Sequence, residues 1–113
     1  MIKTMEQWLT GKRLLIILTI AAAVWFSFTA VMTVLRYRLN YAPAYDFGIF
    51  SQMYYYMDKC LSPLTTCERD GLLSHFAVHL SPVFYVLLPF YKLVPRPETL
   101  LVLQSLVVIS GMV

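Results

Sequence analysis

The chain has 113 residues, 59% of them hydrophobic and 13% charged, with a net charge of +3. A soluble domain carries about 25% charged residues, so a chain this apolar lacks the polar surface to stay in water, and an integral membrane protein is the expected class. The few basic residues are scattered, which excludes the clustered basic face of a nucleic-acid binder.

Residues 1–13 form a short amphiphilic lead-in, with Trp8 and Leu9 placed at the membrane interface. Residues 14–35 then run for twenty-two positions without a charge. About 20 apolar residues cross the hydrocarbon core as a helix, so this run is the first transmembrane helix. A cleavable signal is the competing reading. Its apolar region would be about 7–15 residues with a small-residue cleavage site, and the run here is longer, with no such site at Val31-Met32-Thr33. Lys3, Lys12 and Arg13 precede the run, and Arg36 and Arg38 follow it. The positive-inside rule therefore leans to a cytoplasmic N-terminus by one charge, which puts the following loop, 36–97, on the external face.

That loop holds most of the acidic side chains. Within it, 46–57 is expected as an interfacial helix with Asp46 as its N-cap, because an Asp oxygen accepts orphan backbone N–H groups. Gly48 weakens that helix locally. Tyr54, Tyr55 and Tyr56 suit an interface, where rings bury and hydroxyls reach water. Residues 58–74 read as a turn-rich loop. Ser81 and Pro82 are a helix start, Ser as cap and Pro in the first turn. The helix that follows, 83–94, is too short to span and is expected to bend at Pro89 as a short interfacial or re-entrant segment. Pro97 and Glu98 open a last apolar helix, 98–113, the start of a second transmembrane helix. Its fourteen residues from Leu100 are short of a full span, with no closing charged flank and no terminating cap, so the remainder of a longer chain, or a partner subunit, is expected to shield it.

Few groups here can carry chemistry. Asp46 lies ten residues past Arg36, at the membrane surface. It is either a general base or metal-binding carboxylate facing a lipid-linked substrate, or an N-cap or ion-pair partner of Arg36 or Arg38. His75 and His79 are spaced i,i+4 and share one face if helical, a spacing used by metal sites. The zinc-protease pattern needs Glu directly after the first His, and Phe76 stands there, which excludes that mechanism. A phosphate contact by the imidazoles is the other use. Cys60 and Cys67 enclose six residues. In an oxidising compartment a disulfide would close that small loop, and this reading is preferred to free thiols, and those to zinc bound by Cys60, Cys67, His75 and His79. Gly-rich phosphate loops, nucleophile elbows and Asp-x-Asp pairs are all missing.

Two stretches carry a resemblance. Tyr45-Asp46-Phe47-Gly48-Ile49-Phe50-Ser51-Gln52 is followed by His75-Phe76-Ala77-Val78-His79-Leu80-Ser81-Pro82 and the apolar run 83–91. Together they resemble the N-terminal part of a family of predicted multi-pass membrane proteins of unknown function (a DUF), one grouped with the C-type glycosyltransferase superfamily (GT-C). The family pattern is close to aromatic-Asp-Leu-Gly-Ile-Phe-Asp-Gln and then His-Phe-x-x-His-Phe-Ser-Pro. The resemblance covers about 14–113. It implies an all-α membrane fold: one transmembrane helix, an external loop with juxtamembrane helices, and a second transmembrane helix. It implies Asp46 as base or metal ligand, a divalent metal as candidate cofactor, and a polyprenyl-phosphate sugar as donor. His75, His79 and Gln52 fall on the motifs as candidate substrate contacts. Ser51 replaces the second Asp of the pattern and removes one candidate metal ligand, and Leu80 replaces Phe. The location implied is the plasma membrane of a prokaryote. The alternative is a non-catalytic small membrane anchor or assembly partner.

Overall fold

The computed structural model describes the backbone of residues 2–41 and 44–111 and, within these, all side chains except those of 2–9 and 44. The placements expected for Trp8 and Leu9 lie outside the described side chains.

The first helix, α1 (Ile2–Arg38), is 37 residues long, about 55 Å at 1.5 Å per residue. Its stretch Thr10–Arg38 is long and apolar enough to cross a membrane. The lead-in is not a separate segment: the helix runs through it, since Lys12 and Arg13 are good helix formers and Gly11 is a single weak point. Polar hydroxyls along the apolar stretch are turned inward. Thr19, Ser27, Thr29 and Thr33 donate to the carbonyls of Leu15, Ala23, Trp25 and Thr29, which hides them from hydrocarbon. The helix stops at Asn40, which takes φ 57°. Its N–H donates to Tyr37 O (3.0 Å), and the Tyr41 N–H donates to Arg36 O (2.9 Å). This is a Schellman closure with Asn in the left-handed position, where its short polar side chain is tolerated.

The second helix, α2, is Ala44–Cys60. It begins two residues earlier than expected, so Asp46 is in its first turn and is not its cap. A carboxylate there still faces the positive end of the helix dipole. Residues 58–74, expected as a turn-rich loop, contain the end of α2 and a minimal hairpin. Strand β1 (Leu64–Thr65) pairs antiparallel with β2 (Leu73–Ser74), Leu64 opposite Ser74 and Thr65 opposite Leu73. A 3₁₀ turn over His75–Ala77 follows, capped by the Ser74 hydroxyl, which accepts from the Phe76 N–H.

The third helix, α3 (Val83–Leu93), starts without a side-chain cap. Ser81 contributes its carbonyl, which accepts from the Phe84 N–H, and Pro82 takes the cap position already in helical geometry, so the Ser hydroxyl is not needed there. The helix continues through Pro89. At eleven residues it rises about 16 Å, too little to span. The fourth helix, α4 (Pro97–Ser110), opens as expected with Pro97 in the first position and closes with the Gly111 N–H donating to Val107 O.

Helix α4 packs along α1. Arg38 Nε lies 3.2 Å from Glu98 Oε1, joining the end of α1 to the start of α4, so the two helices are antiparallel. The small core lies off this pair. Met53, Tyr54 and Met57 from α2 meet Leu88 and Tyr91 from α3, flanked by Phe50, Phe84, Leu87 and Leu100. The Tyr54 hydroxyl donates to Phe84 O (3.2 Å) and the Tyr85 hydroxyl to Leu61 O (2.8 Å), fixing α3 against α2.

Candidate functional site

Asp46 is exposed, and among the described residues it has no hydrogen-bond or ion-pair partner. Arg38, one of its two expected partners, is engaged by Glu98. The adjacent Phe47 packs edge-on against Tyr37 at the end of α1, with ring centres 5.1 Å apart. Asp46 is thereby held level with the last turn of the long apolar helix.

Phe47 also opens a groove of about 310 Å³ between α2, α3 and α4. Phe50 and Tyr54 line it from α2, Phe84 and Leu87 from α3, and Leu100, Leu103, Val107 and Val108 from α4. Gln104 adds an amide to an otherwise apolar wall. Since α4 runs back along α1 from the Arg38–Glu98 pair, the groove extends from the level of Asp46 into the apolar zone.

Gln52 faces the loop, and both ends of its amide are engaged there. Oε1 accepts from the Thr66 N–H (2.9 Å), the Thr65 hydroxyl (3.1 Å) and the Cys67 thiol (3.3 Å). Nε2 donates to Thr66 Oγ1 (2.9 Å). Tyr45 adds a hydrogen bond from its hydroxyl to the Cys67 carbonyl. The turn after α2 brings these partners back along the helix, so Tyr45 and Gln52 on one face clasp residues 65–67.

His75 is 3% exposed. Its Nδ1 lies 2.8 Å from Glu68 Oε2, its ring centre lies 5.7 Å from that of Phe50 and 5.8 Å from that of Phe84, and its backbone N–H donates to Pro63 O. It is the pin that closes the loop. His79 is exposed, one turn on, with ring centres 5.8 Å apart. The expectation that the two imidazoles are neighbours holds, but only His79 is open to a ligand.

Cys60 and Cys67 are free thiols with separate partners, Tyr56 O and Gln52 Oε1. Among the described residues no three His, Cys, Asp or Glu side chains converge to hold an ion. The set Cys60, Cys67, His75 and His79 is therefore not gathered. Among the described residues, Asp46 has no second and third such side chain beside it to complete a metal site.

Sequence reasoning missed Glu68, Tyr45 and the threonines. Glu68 lies in the connection between β1 and β2, seven residues before His75, a separation no local pattern marks. Lys92 and Arg96 lie just before α4, at the end of the helix pair where Arg36 and Arg38 stand. The basic residues at the two ends then number four against the three of Lys3, Lys12 and Arg13. The positive-inside rule thus no longer favours a cytoplasmic N-terminus.

No curated protein and no solved structure matches the chain. One family model does, over residues 35–112, from the last turn of α1 to the end of α4, which takes in every candidate site residue. The chain belongs to the family of predicted membrane proteins called DUF2079.

Proposed function

We propose that this chain is the N-terminal membrane region of a GT-C-like enzyme that transfers a sugar from a polyprenyl-phosphate donor at the external face of a prokaryotic plasma membrane. The observation that carries the reading is the unpaired, exposed Asp46 carboxylate beside Phe47, the first wall of an apolar groove that leads into the membrane zone. The prenyl chain lies in the groove and the sugar phosphate at its mouth. Asp46 takes the proton of the acceptor hydroxyl as that oxygen attacks the sugar, or holds a divalent ion against the leaving phosphate. His79 is the imidazole free to contact the phosphate, while His75 and Gln52 hold the loop behind it. The external placement rests on the family resemblance. The groove is walled by α2, α3 and α4, and further helices, from the rest of a longer chain or from a partner subunit, would complete the site.

A second reading is a non-catalytic anchor or assembly partner. It is favoured by the spending of Gln52 and His75 on the loop. The Asp46→Asn variant separates the two. Membranes carrying it are expected to insert the protein normally and to lose transfer from a polyprenyl-phosphate sugar by roughly 10²–10⁴-fold, the range of general-base catalysis. Transfer at the wild-type rate would remove Asp46 from the chemistry, and a change confined to stability or association would favour the anchor.

A further inference from the structure

Cys60 closes α2 and its residue is exposed, the thiol donating to Tyr56 O at 3.2 Å. Cys67 is half-buried, its thiol 3.3 Å from Gln52 Oε1 and its carbonyl bonded to the Tyr45 hydroxyl. Tyr45 and Cys60 stand fifteen residues apart on α2, about 22 Å of helix rise. A tyrosine arm, one hydrogen bond and the step from a carbonyl oxygen to its Cα together span about 11 Å. The Cα atoms of Cys60 and Cys67 are therefore about 10 Å apart or more, whereas a disulfide needs roughly 7 Å or less.

We propose that Cys60 and Cys67 form a gated dithiol: the clasp of Tyr45 and Gln52 on residues 65–67 and a Cys60–Cys67 disulfide exclude one another. A small disulfide oxidant such as oxidised glutathione meets the exposed thiol first. The Cys60 thiolate attacks it, and one glutathione leaves as thiolate. The mixed disulfide stops there while the clasp is shut. When the clasp opens, the Cys67 thiolate attacks the Cys60 sulfur and the second glutathione leaves. The chain has then lost two electrons, the oxidant has gained them, and the two thiol protons end on the two glutathiones. The bridge holds residue 67 at the far end of α2, and Gln52 loses its loop partners. Because Tyr45 adjoins Asp46, oxidation changes the surroundings of that carboxylate. The exclusion holds whatever chemistry Asp46 performs.

The test treats the full chain in detergent with oxidised glutathione, follows products by mass, and follows amide exchange at Thr66, whose N–H is held by Gln52. Wild type is expected to stop at a glutathione adduct on Cys60. The Gln52→Ala chain is expected to go on to the bridge at least about tenfold faster. In the bridged form of a chain that keeps Gln52, such as Tyr45→Phe, Thr66 loses its exchange protection by a similar factor, and a reductant restores it. Tyr45→Phe cuts one bond of the clasp with little loss of packing, and gives a smaller acceleration in the same direction should Gln52→Ala fail to fold. A wild-type chain that bridges as fast as the variants, or that keeps Thr66 protected once bridged, would overturn the proposal.

Discussion

Single residues divide into those whose setting is local and those whose partners arrive from far along the chain. Asp46 is of the first kind. A lone carboxylate just past a membrane-length helix is conspicuous in the sequence, and the fold leaves it exposed. Gln52, His75 and Tyr54 are of the second kind. Gln52 is legible as a polar residue in an aromatic helix, but its partners Thr65 and Thr66 lie thirteen and fourteen residues on, and reach it only because the chain reverses after α2. Tyr54 looked like an interfacial ring with a wet hydroxyl. It is instead 3% exposed, and burial pushes its hydroxyl up to about 12 from the ordinary 10.0. Burial raises Tyr91 beside it as well. The unfolded chain releases the Tyr54 proton near pH 10, while the fold retains it to about 12. The stabilising contribution is thus full below pH 10 and is lost as pH rises toward 12. Thermal melts by circular dichroism are expected to show the melting temperature falling steeply across that window, and Tyr54→Phe is expected to flatten the fall.

Elements were legible where composition alone decides them, and less so where the boundary depends on one backbone group. The apolar stretch of α1 and the breaks at Pro95 and Pro97 follow from residue type, but the extension of α1 back to Ile2 does not. The start of α2 does not. Asp46 is a good cap in isolation, yet the helix extends to Ala44 and leaves Asp46 in the first turn. The start of α3 does not either, since a proline already in helical geometry displaced the serine cap. The hairpin of two-residue strands lies below what alternation can reveal, because period two needs four or more residues to register. Two substitutions test α2 from opposite sides. Gly48 is in the helix interior, and a Cβ there meets nothing within 4 Å. Gly48→Ala is expected to stabilise by about 0.5–1 kcal/mol, read as a higher melting temperature. Met57 is fully buried against α3. Met57→Ala is expected to cost about 2–5 kcal/mol, through lost burial and the cavity left behind.

The whole molecule is a rod with a cap, 69 Å in its longest dimension, because α1 extends well past everything else. The cap is α2, the hairpin and α3. It meets the rod through α4 and through the Tyr37–Phe47 contact. Two spans joined by one loop must run in opposite directions, but that α1 and α4 pack on each other was not legible in the sequence, since it depends on where the intervening loop returns the chain. The Arg38–Glu98 pair marks that return. With side chains 62% and 24% exposed it stabilises little, and packing along the helices carries the pairing. Ala30 on α1 and Ser105 and Ile109 on α4 are buried, and the small Ala30 and Ser105 allow close approach. Ala30→Leu is expected to cost about 1–3 kcal/mol by overpacking and to widen the α1–α4 separation, read by paired spin labels on the two helices. Val24→Leu, at a position 64% exposed, is expected to change neither.

The central proposal is that α1, long and apolar enough to cross a bilayer, places Asp46 at the external membrane surface. The most direct test is labelling with a membrane-impermeant maleimide in intact cells, in a Cys60→Ser, Cys67→Ser background. Asp46→Cys is expected to label in intact cells, and Val24→Cys to label only after denaturation. Labelling of Asp46→Cys only after the cells are opened, or of Val24→Cys as fast as Asp46→Cys, would contradict it.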